Sequence, residues 1–91
     1  MSPARPSWFY VYVLKSAKDD RFYTGATNNL EERLTQHNSG KVISTKNRLP
    51  LTLIYFEGCL HKDDAYRREK YLKSGMGKRY LENRLRKGLT G

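Results

Sequence analysis

Glu69 is the residue that most needs a chemical explanation. Three- and four-residue spacing puts Ala65, Arg68, Glu69 and Leu72 on one face of a helix, so the carboxylate projects between two apolar residues. Burying it alone would cost roughly several kcal/mol, and a cation must meet it. That cation is either a nearby Arg or Lys, making an internal salt bridge, or Mg²⁺, which binds through one or two carboxylates and keeps most of its waters. Arg33 and His37 stand one helical turn apart. They can grip a phosphate through two donors, or form an ordinary pair at the border of the apolar stripe. Tyr12 and Tyr23 fall on two segments that read as neighbouring strands. Their hydroxyls can converge on one point, or the two rings can simply fill a half-buried sheet face. A metal carboxylate, an arginine, a histidine and paired phenols are the parts of a phosphodiesterase, although spacing alone does not assemble them.

These residues need elements to hold them. The run 8–15 (WFYVYVLK) is dense in β-branched and aromatic residues and reads as a first strand. The polar turn 16–21 leads to a second strand at 22–24 before Gly25, which makes a hairpin. Both strands are apolar on both faces in places, which suggests a sheet covered on two sides or with one side open to a ligand. Asn28 can cap a helix that begins at Asn29, has Glu31 at its third position and runs to about Asn38, where Gly40 ends it. Leu30 and Leu34 supply its apolar stripe.

The segment 41–50 (KVISTKNRLP) has no period and reads as a long loop, followed by a third strand at 51–57. Asp63 or Asp64 can cap the helix that carries Glu69, with Gly75 and Gly77 marking its end. A short basic helix over 78–87 then packs Leu81 and Leu85. The order β-β-α-β-α-α implies an α+β domain, a small three-stranded antiparallel sheet flanked by helices. Residues 1–7 are expected to form a disordered arm, 8–87 the domain and 88–91 a tail.

Composition limits the partners. Ninety-one residues make one domain with a thin core, since only 37% are apolar while seven are tyrosines. Eighteen Lys and Arg against nine Asp and Glu leave a charge of +9, which calls for a polyanion and favours nucleic acid over an anionic membrane or a ribosome. Cys59 is the only cysteine, so neither an intrachain disulfide nor a cysteine-held zinc is available. His37 and His61 are too few for a histidine-dominated metal site. With no apolar span and no signal-peptide core, the expected location is the cytoplasm.

The segments Tyr10-Val11-Tyr12 and Tyr23-Thr24-Gly25 resemble the two signatures of the GIY-YIG nuclease superfamily, and a short hairpin separates them as it does there. The run 23–38 is similar to the family's second strand, loop and first helix, and 65–73 to its second helix, with Glu69 at the metal-binding position. The resemblance spans about residues 8–86 and is nearest to the small stand-alone members. Tyr10 and Thr24 depart from the motif's glycine and isoleucine at positions that supply no chemistry. The family often has a late asparagine near its site, for which Asn83 is the one residue in range.

What the resemblance implies is hydrolysis of a DNA strand with one divalent cation, Mg²⁺ or Mn²⁺, held by Glu69. Arg33 would stabilise charge on the phosphoryl oxygens. Tyr12 would orient or deprotonate the attacking water with help from Tyr23 and His37. Lys41, Lys46, Arg48 and Arg68 are candidate nucleic-acid contacts. DNA is the expected partner with RNA open, no membrane is involved, and a monomer suffices although a homodimer stays open. The rival reading is a catalytically inactive nucleic-acid-binding module that uses its basic surface and aromatics such as Trp8 and Tyr10 for stacking.

Overall fold

A computed structural model describes residues 7–90, so the expected N-terminal arm, apart from Ser7, lies outside the described residues. The elements are β1 (Phe9–Ser16), β2 (Phe22–Thr27), α1 (Leu30–Asn38), β3 (Leu51–Cys59), α2 (Lys62–Lys73), α3 (Gly75–Arg84) and α4 (Arg86–Thr90). They form the expected α+β fold with a three-stranded antiparallel sheet, plus one further short helix where a tail was expected.

The sheet order is β2-β1-β3, with β1 antiparallel to both neighbours. The outer strands therefore run in the same direction, and the chain between them must cross β1. That crossing consists of α1 and the segment 41–50, which explains why so small a domain carries so long a connection. The central strand is covered on both faces, which is why its sequence does not alternate cleanly. Val11 and Val13 pack on one face with Ala65 and Leu72 of α2 and Leu81 of α3. Tyr12 and Leu14 pack on the other with Leu51 and, beside them, Leu30 and Leu34 of α1.

Helix boundaries moved where a different side chain won the capping position. Asn29, one residue later than expected, caps α1 by accepting from the Glu32 amide. The exposed acids Asp63 and Asp64 lie inside the first turn of α2, where they complement the helix dipole, and His61 is the cap. Gly75 and Gly77 do not close α2; Ser74 ends it and begins α3, and both glycines lie in the first turn of α3. Gly77 is buried at the α2–α3 crossing, where a Cβ would strike the Tyr71 carbonyl and the Leu72 backbone. A glycine there thus serves close approach of two helices, not termination.

Candidate active site

Tyr12 occupies the middle of the central strand, directly opposite Gly25 of β2. Its phenol lies over that glycine: a Cβ at Gly25 would meet the Tyr12 hydroxyl, with the ring's Cζ only 2.6 Å away. The glycine that ends the second signature thereby makes room for the tyrosine that ends the first. Tyr12 is 1% exposed and cannot choose its surroundings. Its hydroxyl is 2.8 Å from His37 Nε2, and Arg33 Nε donates to it at 3.4 Å.

The helix α1 delivers both of those partners, and it is tied down at each end. Asn29 caps the start, while the Asn38 side chain pairs with the Leu51 backbone in both directions, at 3.0 and 3.1 Å. Arg33 is half-buried at the rim, where its Nη1 also donates to Gln36 at 2.9 Å. His37 is not a border residue. It is fully buried beneath Tyr12, and its second ring nitrogen lies 2.8 Å from the Thr45 hydroxyl. With both nitrogens engaged, it offers no donor to a phosphate, so the fold builds neither of the two arrangements weighed for Arg33 and His37, the two-donor grip or the border pair.

Thr45 completes the chain. Its hydroxyl donates to the Val42 carbonyl at 3.5 Å, and a carbonyl can only accept. In the tautomer that suits this direction, His37 Nδ1–H donates to Thr45 and Nε2 accepts the Tyr12 proton. Burial, then the charge of Arg33, lowers the His37 pKa from 6.5 to about 4, so the ring is neutral near pH 7. Burial also raises the Tyr12 pKa, an effect that the Arg33 hydrogen bond opposes. Sequence reasoning missed Thr45 because a threonine in an aperiodic loop carries no motif. Only its complete burial singles it out.

Tyr23 joins this group from β2. Its ring centroid is 5.0 Å from that of His37 and 6.4 Å from that of Tyr12, and its hydroxyl, like that of Tyr12, raises the Arg33 pKa. The Tyr23 ring thus packs against the Tyr12 and His37 rings beside Arg33. Glu69 approaches from α2, near enough for its charge to be felt at Tyr12. Its carboxylate is one-fifth exposed and accepts from Lys73 Nζ at 2.8 Å, so the internal salt bridge weighed in the sequence does exist.

Among the described residues no group of three or more His, Cys, Asp or Glu side chains is placed to hold a metal ion. The Glu69 carboxylate, once freed from Lys73, suits a hard divalent cation that takes one protein ligand and fills its shell with water and phosphate.

The remaining candidates are more scattered. Lys41 and Lys46 are exposed on the crossing segment. Arg48 pairs with Asp19 at 3.0 Å. Arg68 pairs with Glu57 at 2.6 Å and stacks over the rings of Tyr71 and Tyr80, so both arginines already have partners. Asn83 is exposed on α3, accepts from Arg86 at 3.4 Å and lines a recess with Ile54 and α4, not the recess beside Arg33.

Comparison with known proteins agrees with this fold. Residues 8–83 match the GIY-YIG catalytic domain. The chain belongs to the GIY-YIG family. A UPF0213 protein of Clostridium perfringens is 49% identical over 65 residues, covering 70% of this chain and 69% of that one. One of Bacillus licheniformis is 43% identical over 84 residues, with 88% and 86% covered. The solution NMR structure of a UPF0213 protein from Bacillus halodurans superposes with a TM-score of 0.53 at 34% identity, covering 84% of this chain and 83% of that one. Membership brings nuclease chemistry, a nucleic-acid substrate and the general use of divalent metal ions. No described helix is long and apolar enough to cross a membrane.

Proposed function

We propose that this protein is an Mg²⁺-dependent endonuclease that hydrolyses a DNA phosphodiester, selecting its target by structure or by weak sequence preference. The observation that best supports the reading is the Tyr12 hydroxyl held by His37 and Arg33 at the rim of the site, with the Glu69 carboxylate on α2 weakly felt at Tyr12. A module that only binds phosphates has no use for a carboxylate there, since like charges repel.

Arg33 presents a fixed guanidinium to the phosphoryl oxygens, held in place by Tyr12 and Gln36. Tyr12, whose hydroxyl is shared between His37 and Arg33, would orient the attacking water. Tyr23 packs against the imidazole and keeps it from rotating. Glu69 would hold the cation, which when bound supplies Lewis acidity toward the phosphate. Lys73, the more exposed partner, would then have to release the carboxylate. Lys41 and Lys46 stand free to meet the DNA backbone, whereas Arg48 and Arg68 would have to exchange an acidic partner for a phosphate.

The test is cleavage of labelled duplex, flap, fork and single-stranded DNAs by wild type and Glu69→Ala, each with Mg²⁺ and with EDTA. Cutting that requires both the metal and Glu69 is the expected result. Equal cutting by Glu69→Ala would remove the metal site, and tight binding with no cutting under any condition would favour an inactive binding module. Binding should also weaken steeply with added salt, because each neutralised phosphate releases counterions.

A further inference from the structure

Three aromatic rings stand on the sheet beside the candidate active site with nothing over them that the catalytic geometry requires. Trp8 is 45% exposed and Phe56 53% exposed. The rings of Trp8 and Tyr10 both pack on Gly58 of β3, lying 3.4 and 3.5 Å from where its Cβ would be. Tyr10 meets Phe56 edge-on, with centroids 6.2 Å apart. Side chains two apart on a strand share a face, and so do directly paired residues. Tyr10 precedes Tyr12 by two positions, Phe56 is the pairing partner of Tyr12, and Gly58 is that of Tyr10. All three rings therefore continue the face that carries the Tyr12 hydroxyl, beyond the part that α1 covers.

Exposed apolar surface of this kind marks a binding site, and the charge names its occupant. A chain of +9 with Arg33 poised at the same face attracts a phosphate backbone, while aromatic rings accept the flat faces of nucleobases. Orientation narrows the choice further. Successive bases in a duplex rise about 3.4 Å and stack on one another. The Tyr10 and Phe56 rings lie 67° apart in plane, so they cannot both lie flat against the parallel bases of a stacked duplex, whereas unpaired bases of a single strand can each turn onto a ring.

We propose that Trp8, Tyr10 and Phe56 form a stacking platform for unpaired bases, so that the substrate carries a single-stranded stretch next to the bond that is cut. This deepens the nuclease reading and rests on it for the meaning of the neighbouring phosphate site.

Trp8 is the only tryptophan, so its fluorescence reports on the platform directly. The experiment titrates the wild-type protein in EDTA with a short oligothymidylate and, separately, with a blunt duplex of equal length. The single strand should quench Trp8 strongly and the duplex weakly. Phe56→Ala should weaken single-strand binding about tenfold and leave duplex binding unchanged. Phe56 is more than half exposed, so its loss spares the core, and an unchanged melting temperature verifies that. Equal quenching by both DNAs, or full single-strand affinity in Phe56→Ala, overturns the platform. So does self-association at the working concentration that is abolished by Phe56→Ala, which would assign the face to a second copy of this chain. Because no cleavage is measured, failure here leaves the Glu69 and Mg²⁺ test standing, and failure of that test leaves this binding result standing.

Discussion

Lowering the pH from about 7.5 to about 4 places the buried His37 under direct strain. Its ring has a pKa of 6.5 when free and about 4 in the fold, where it is fully enclosed and faces the charge of Arg33. Between those two values the unfolded chain takes up a proton that the folded chain refuses. The stabilisation from a neutral, buried His37 is therefore complete above 6.5 and is lost as the pH falls toward 4, below which this group costs nothing further. Integrating the proton uptake gives a loss of about 2 kcal/mol at about pH 5 and about 3 kcal/mol at about pH 4. A domain of this size has on the order of 5–10 kcal/mol in all, so the effect is large. Urea unfolding followed by circular dichroism, across this range in wild type and His37→Gln, isolates it. Acidic groups with lowered pKa values, such as Asp19, destabilise both proteins alike and cancel in the difference. The wild-type advantage should shrink by about 3 kcal/mol over the range. A difference that stays flat would mean that His37 titrates as in water, and the closed Tyr12–His37–Thr45 chain would be wrong.

Thr45→Val keeps the shape but leaves His37 Nδ1 buried without a partner, and should cost about 1–3 kcal/mol in the same urea assay. The variant should also cut more slowly, since the imbalance reaches Tyr12 through the imidazole; full stability would show that the Thr45 contact is idle. Gly77→Ala forces a methyl into the Tyr71 carbonyl and Leu72 backbone and should lower the melting temperature sharply, whereas Gly75→Ala, with open space around it, should be neutral or mildly stabilising. Similar melting temperatures for the two would refute the close approach of α2 and α3. Arg33→Ala should slow cleavage by about 10²- to 10³-fold while circular dichroism stays native, and an unchanged rate would assign Arg33 to structure alone.

Periodicity and residue type were enough to read the strands and helices in their order, along with the family and the identity of Tyr12, Tyr23, Arg33, His37 and Glu69 as the residues of interest. Each of those signals is local: a run of β-branched and aromatic residues, an apolar spacing of three and four, a pair of short signatures. Caps were less legible because neighbouring side chains compete for the same amide, as Asn28 and Asn29 do, and only the folded backbone picks the winner. Gly77 looked like a helix end, yet it marks a helix contact, which depends on where α3 turns back onto α2. The site divides in the same way. That Arg33 and His37 share a helical turn is written in their spacing, but that one sits at the rim and the other is sealed beneath Tyr12 follows from the crossing of α1 over β1. Thr45 enters through a loop folded back under that helix, and Phe56 through the pairing of β3 with β1; both are separations in sequence that only long-range packing can close.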